Sequence, residues 1–212
     1  MRKAVIFVSL FCGLSALCFA KGNLELFGGV PLNWDKGSAY GYNAEVQMTS
    51  VSFGFGLVSP INERFSFEVW DEIILPIKLD GTINGGKTTL SRDDYETLMG
   101  MSVFLGPVIN LYSDADDKLK IPLTVGLRWW WLSMSTRYAS IFGNQFGFGL
   151  GFGAEYHFNE RVYIFGRVMG YFDFFAINLT TTASYNGTVT KTDSGLISSF
   201  GLTPNIGVGI VF

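Results

Sequence analysis

Residues 146–153 read Phe146-Gly147-Phe148-Gly149-Leu150-Gly151-Phe152-Gly153, a large apolar residue alternating with glycine at every step. A period of two fits a β-strand, whose successive side chains point to opposite faces. On an α-helix the same glycines would scatter round the axis, each costing about 1 kcal/mol relative to alanine. The stretch is therefore predicted to be a strand with one apolar face and one bare face. The uncharged runs 97–113, 138–154 and 194–212 have nearly the length of helical membrane spans, but the alternation inside the second argues for strands.

The same period recurs along the chain and yields an outward, apolar set for each of eight segments. The first carries Leu24, Leu26 and Val30, and the second Val51, Phe53, Phe55 and Leu57. Phe65, Phe67, Val69, Ile73 and Leu75 mark the third; Met99, Met101, Val103, Leu105, Ile109 and Leu111 mark the fourth. Leu119 to Trp131 at odd positions form the fifth, and Phe146 to Phe158 at even positions the sixth. Val162, Ile164, Val168, Phe172 and Phe174 form the seventh, and Phe200, Leu202, Ile206, Val208, Ile210 and Phe212 the eighth. An open sheet in lipid would leave edge N–H and C=O groups unpaired, so the strands must close into a ring. The predicted fold is all-β, a transmembrane antiparallel up-and-down β-barrel of eight strands. Asp71 breaks the outward apolar pattern, and a bulge near Trp70 or a position at the membrane interface is expected there.

Composition agrees with a wall that faces lipid. The chain has 20 Phe and 26 Gly with only 16% charged residues, too apolar for an ordinary soluble domain. At the start, Arg2 and Lys3 precede an apolar run that ends at Cys18-Phe19-Ala20, the pattern of a secretory signal peptide over 1–20. The mature domain is then 21–212. Cys12 and Cys18 leave with the leader, so neither a disulfide framework nor thiolate chemistry is expected. Formal net charge is −3 before the leader's two cations are lost, so no nucleic-acid surface is implied.

Connections alternate in character. Segments 59–63, 113–118 and 159–160 are short polar turns, whereas 35–42, 78–94, 133–144 and 177–195 are longer polar loops. Both termini and the short turns are therefore assigned to the periplasm and the long loops to the exterior. Trp129, Trp131, Phe172 and Phe174 then mark an outer aromatic girdle, and Tyr156 and Phe158 an inner one.

The leader, the eight alternating segments and the ending Gly207-Val208-Gly209-Ile210-Val211-Phe212 resemble the small bacterial outer-membrane barrels of the OmpW, OmpX and OmpA-membrane-domain type. The OmpW-like group is favoured because the loops and the first strand are long. The resemblance implies that Ile206, Val208, Ile210 and Phe212 form a signal read by the barrel-assembly machinery. It also implies a narrow channel for small hydrophobic or amphipathic solutes. A closed structural or adhesive barrel whose loops contact host components stands beside it as the alternative.

Other motifs are read as bland. Gly81-Thr82-Ile83-Asn84-Gly85-Gly86-Lys87-Thr88 matches a phosphate loop letter for letter, yet a two-residue period returns by Met99 where a helix would be needed, so an exterior Gly-rich loop is expected. Gly149, Gly151 and Ala154 loosely match a dinucleotide fingerprint but lie inside a strand. His157, the only histidine, is expected to be a solvated side chain near a turn. No catalytic set, cofactor site or metal site is expected. Inward parity does gather charges: Glu68, Glu72, Lys120, Arg128, Glu155, Arg167 and Asp173. They form either a structural polar plug or the lining of a solute path. Intact mass of the exported chain is expected to place its N-terminus at Lys21; acylation at Cys18 would instead identify a lipoprotein.

Overall fold

The computed structural model describes residues 22–39, 42–83, 85–137, 139–185, 188–193 and 196–212. The expected leader lies outside the described residues. The strands are β1 (Asn23–Gly29), β2 (Leu32–Ala39), β3 (Tyr42–Pro60), β4 (Phe65–Ile83), β5 (Gly86–Ser91), β6 (Thr97–Ser113), β7 (Leu119–Ser135), β8 (Ala139–His157), β9 (Val162–Tyr185), β10 (Thr188–Asp193) and β11 (Leu196–Val211).

β1 and β2 are two halves of one wall strand, since each pairs with β3 on one side and with β11 on the other. The break between them falls at Pro31, which has no N–H to give to a ladder. From there the wall runs antiparallel through β3, β4, β6, β7, β8, β9 and β11 and returns to β1 and β2, an eight-strand ring. β5 and β10 stand outside the ring as hairpin partners of β4 and β9. Closure leaves the ring without a free edge.

Alternation along the strands sorts side chains as the sequence predicts. Leu26, Val30, Phe53, Leu127, Phe148, Leu150, Phe152, Val168, Ile206 and Val208 lie exposed on the outer wall. Trp70, Phe104, Trp130, Tyr163, Phe165, Met169 and Tyr171, of opposite parity, are buried inside. The glycines of the deciding repeat serve that interior. A Cβ on Gly149 would stand 2.8 Å from the Tyr171 ring, one on Gly207 2.5 Å from Phe165, one on Gly126 2.6 Å from Phe104 and one on Gly54 2.6 Å from Phe27. Gly56 meets Trp70, Gly151 Met169 and Gly209 Tyr163 in the same way. Each of these seven side chains thus lies across a bare patch on the neighbouring strand, whereas Trp130 stands between Ser102 and Gln145.

Three expectations are corrected. The segments read as long exterior loops are mostly strand, because β4 continues to Ile83, β9 to Tyr185 and β8 begins at Ala139. Beyond a bilayer both faces can be polar, so the apolar period that marks a strand disappears while Thr-rich backbone still pairs. The phosphate-loop look-alike is a hairpin between β4 and β5: Lys87 pairs with Thr82, and Gly85 holds φ +86°, as a tight turn requires. Finally, of the two alternatives given for Asp71, the bulge near Trp70 does not form. Asp71 stays in line between Phe55 of β3 and Val103 of β6, and is only 6% exposed. The shift in that sheet lies further along, where Thr49 faces Lys78 and Ser50 faces Pro76.

Replacing Gly149 by Val is expected to lower the unfolding free energy by about 1–3 kcal/mol, because the Tyr171 ring has no room to retreat. Gly170→Ala, whose new Cβ would meet nothing closer than 3.8 Å, is expected to change it little. Urea titration of both variants in the same detergent compares them directly.

Candidate functional site: the charged lumen

β1, β4, β8 and β9 each send one charged side chain to a common point in the half of the barrel nearer the short turns. Arg167 Nη1 donates to Glu68 Oε2 at 2.7 Å, and its Nη2 reaches Glu25 Oε1 at 3.3 Å and Glu155 Oε1 at 3.2 Å. Tyr163 Oη donates to the same Glu25 oxygen at 2.8 Å and accepts from Asn23 Nδ2 at 3.3 Å. The guanidinium also lies over the Trp70 ring, 4.5 Å from its centroid. Such a cation must be multiply bonded, because a buried charge without partners would not be retained.

A second layer lies toward the long hairpins. Arg128 Nη1 donates to Asp173 Oδ2 at 2.8 Å, and the two side chains are fully buried. Tyr171 and Trp130 flank the guanidinium, with centroids at 4.0 and 5.3 Å. Glu72 accepts from Ser102 Oγ at 3.1 Å. Asp35 shares a cross-strand row with Ser199 and Asp173, so it faces the same compartment. Between and around the two layers the waist is filled by rings: Phe27 and Trp70 are 4.7 Å apart, Trp70 and Phe165 6.4 Å, and Phe104 and Tyr171 6.4 Å. On the hairpin side of the waist the lining turns apolar, with Met48, Leu79, Leu98 and Trp130 buried together and Val46, Tyr95, Leu132 and Met134 packed against them.

Six of the seven sequence-derived inward charges therefore fall into two groups. Glu68, Glu155 and Arg167 come together on the short-turn side; Arg128, Asp173 and Glu72 lie on the hairpin side. Lys120 joins neither arginine and instead lines a cavity of about 660 Å³ at the short-turn mouth, beside Glu155 and His157. His157 is not simply solvated: its ring stacks on Tyr163 at 4.6 Å, and Nε2 lies 3.6 Å from Glu155 Oε2. Sequence reasoning missed Glu25 and Asp35. Glu25 sits between outward Leu24 and Leu26, so the parity that found the others points to it as well. Asp35 was hidden because its segment reads as a loop.

On the outer wall, Phe172 and Phe174 form a ring cluster with Phe148, at 6.0 and 5.3 Å from it. Trp131 lies 6.1 Å from Phe142, and Trp129 pairs in register with Phe146. Tyr156 and Phe158 pack edge to face at 5.4 Å at the opposite end. Ile206, Val208, Ile210 and Phe212 are exposed along one face of the closing segment. Phe212 N donates to Gly22 O at 3.0 Å.

No protein-family model matches the chain, and no curated protein matches it in sequence. Solved structures do. The outer membrane protein OprG from Pseudomonas aeruginosa superimposes with a TM-score of 0.59 at 12% identity, over 92% of this chain and 98% of that one. A major outer membrane protein from Thermus thermophilus gives 0.56 at 15% identity, over 90% and 99%. Neisserial surface protein A gives 0.52 at 14% identity, over 88% and 97%. With the closed ring and the apolar outer wall, these likenesses give the chain the fold of the small bacterial outer-membrane β-barrels of the OmpW/OmpX-like type.

Proposed function

We propose that the chain resides in the bacterial outer membrane, its long hairpins outside, and admits small hydrophobic or amphipathic solutes into the exterior half of its lumen without forming a water-filled pore. One observation carries this reading: the lumen changes from an apolar lining of Met48, Leu79, Leu98 and Trp130 to two layers of buried charge with a waist of packed rings between them. An eight-strand ring has room for its own side chains and little more. An apolar solute gains free energy on entering such a lining and loses it at the charged layers. The exterior half is thus a place of binding, and the waist limits hydrated ions.

A second reading is favoured by the same waist. If the charged layers never open, the barrel is a structural or adhesive surface protein, and its exterior hairpins are the parts that contact host components. Neither reading requires catalysis, a cofactor or a metal. Both involve the lipid of the membrane and the barrel-assembly machinery as partners.

Flux of a small apolar solute into liposomes bearing the refolded chain is expected to exceed that into empty liposomes, while ion conductance stays close to background. Background flux would sink the uptake reading and leave the structural one. In the Arg128→Ala, Arg167→Ala double variant, carboxylates lose buried partners. Stability is expected to fall by about 3–5 kcal/mol per broken cluster, with conductance rising as the waist loosens. Wild-type stability together with a shift of ion selectivity toward cations would mean that the arginines line a hydrated path.

Deleting Phe212 is expected to reduce assembly in cells far more than refolding in detergent. An equal loss in both would remove its role as an assembly signal.

A further inference from the structure

Outside the lumen, the strands that rise beyond the apolar band carry an ordered polar patch. It is built by register. On the outer faces of β2, β3 and β4, one cross-strand row is Leu32, Thr49 and Lys78. The next row, which extends onto β5, is Trp34, Gln47, Asp80 and Thr89, and the third is Lys36, Glu45, Thr82 and Lys87. Side chains of the second and third rows line a groove of about 420 Å³, and Lys78 stands at its edge. On the other side of Lys78 the wall is apolar, with Val51 and Phe53 exposed.

The register shift described above makes the junction. Because Thr49 faces Lys78 and Ser50 faces Pro76, Ile77 is left over, and Ile77 and Lys78 are both exposed. A bulge re-aims side chains in this way. It sets an ammonium directly beside a half-exposed isoleucine at the edge of the apolar band. The carboxylates in the patch are already engaged: Asp80 accepts from Lys78 at 2.6 Å and from Thr89 at 2.8 Å, and Glu45 pairs with Lys36 at 3.0 Å. Beyond the band, hydrogen bonding to Lys78 and Thr89 holds the Asp80 carboxyl below its ordinary value, so it stays ionised and fixes the lysine. Among the outward-facing side chains three lysines stand against two carboxylates, which leaves Lys87 as the surplus cation; Asp35, which also borders the groove, belongs by register to the lumen row of Ser199 and Asp173.

We propose that this groove binds the phosphorylated sugar headgroup of an outer-leaflet glycolipid, with Lys78 and Lys87 facing phosphate and Gln47, Thr82 and Thr89 facing sugar hydroxyls. This rests on the outer-membrane location proposed above. The occupant follows from continuity and charge. A ligand here must lie at the membrane surface, because the groove opens directly onto the lipid-facing wall. It must offer anionic groups to ammonium and hydroxyls to neutral polar side chains. A lipid whose headgroup is a phosphorylated sugar satisfies both, and its acyl chains continue down past Ile77 and Phe53.

Native mass spectrometry of the refolded mature chain in detergent tests the assignment, with bisphosphorylated lipid A, the same lipid stripped of phosphate, and phosphatidylethanolamine as probes. Bisphosphorylated lipid A is expected to bind, with affinity falling by about fivefold or more when its phosphates are removed. The Lys78→Ala, Lys87→Ala variant is expected to show a similar fall while keeping a β-type circular dichroism spectrum. Lys87→Ala alone, which leaves the Lys78–Asp80 pair intact, is expected to show part of it. Equal binding of the stripped lipid, or unchanged affinity in the double variant, would overturn the proposal. So would loss of binding on chelation with EDTA while the variant binds normally, since that would place a divalent cation on the carboxylates instead. Binding in micelles is measured without a cell or a flux assay, so failure of the location or uptake readings registers separately.

Discussion

The whole structure depends on filling the inside of a ring that is barely wide enough for side chains. Eight strands enclose a cylinder that must be neither empty nor overfull. This chain meets the constraint by pairing bulk with nothing: Tyr171 lies over Gly149, Phe165 over Gly207, and Trp70 over Gly56. Bare glycine on one strand lets a ring from the next lie flat against the wall, so rings from different strands reach the axis and touch. The outward alternation that faces lipid and the inward alternation that admits rings are the same sequence pattern seen from two sides.

That packing also explains why two guanidiniums are held so deep. Arg167 and Arg128 are planar cations sandwiched by rings, with carboxylates at their edges. A lysine in either place would offer a point charge without the flat face that stacks on Trp70 or Tyr171. Arg167 meets Glu68 on β4, four strands away round the ring, and so ties the wall across its diameter, whereas Arg128 on β7 reaches Asp173 on β9, two strands away. Arg167 alone connects β9 to β1, β4 and β8. The closed waist thus joins strands that no backbone ladder joins.

Much of this was legible in residues. The repeat at 146–153 identified a strand, and its period, applied along the chain, placed the ring strands and sorted inward from outward side chains. The inward arginines were found because charge on a buried face is conspicuous. Glu25 escaped although it obeys the same parity, and Asp35 escaped because 35–42 reads as a loop. Asp71 kept its register where a bulge or an interface position was expected, while the bulge formed at Ile77, whose neighbours Pro76 and Lys78 give no hydrophobic signal of a shift. Partner choice inside the lumen was not legible, since which carboxylate meets which arginine depends on the stagger of the strands. The long hairpins were hidden because period-two patterning reports a difference between two environments. Where both faces meet water, the pattern has nothing to record.

Those hairpins have a mechanical consequence. β4, β8 and β9 each run as one strand from the short turns into the hairpins, bulged where their registers shift, and β5 and β10 thicken the rim. A strand paired along its length resists bending far better than a free loop, so the tips are held at a height fixed by strand length, about 3.3 Å for each residue along the strand. Whatever meets the barrel at those tips meets a stiff palisade rather than a brush. Lengthening a hairpin by pairs of residues would raise its tip while keeping side chains on their original faces. Adding a single residue without a bulge to absorb it would reverse the faces of everything beyond it. Without a further bulge of the kind at Ile77, variation in the height of this rim is therefore quantised in steps of two.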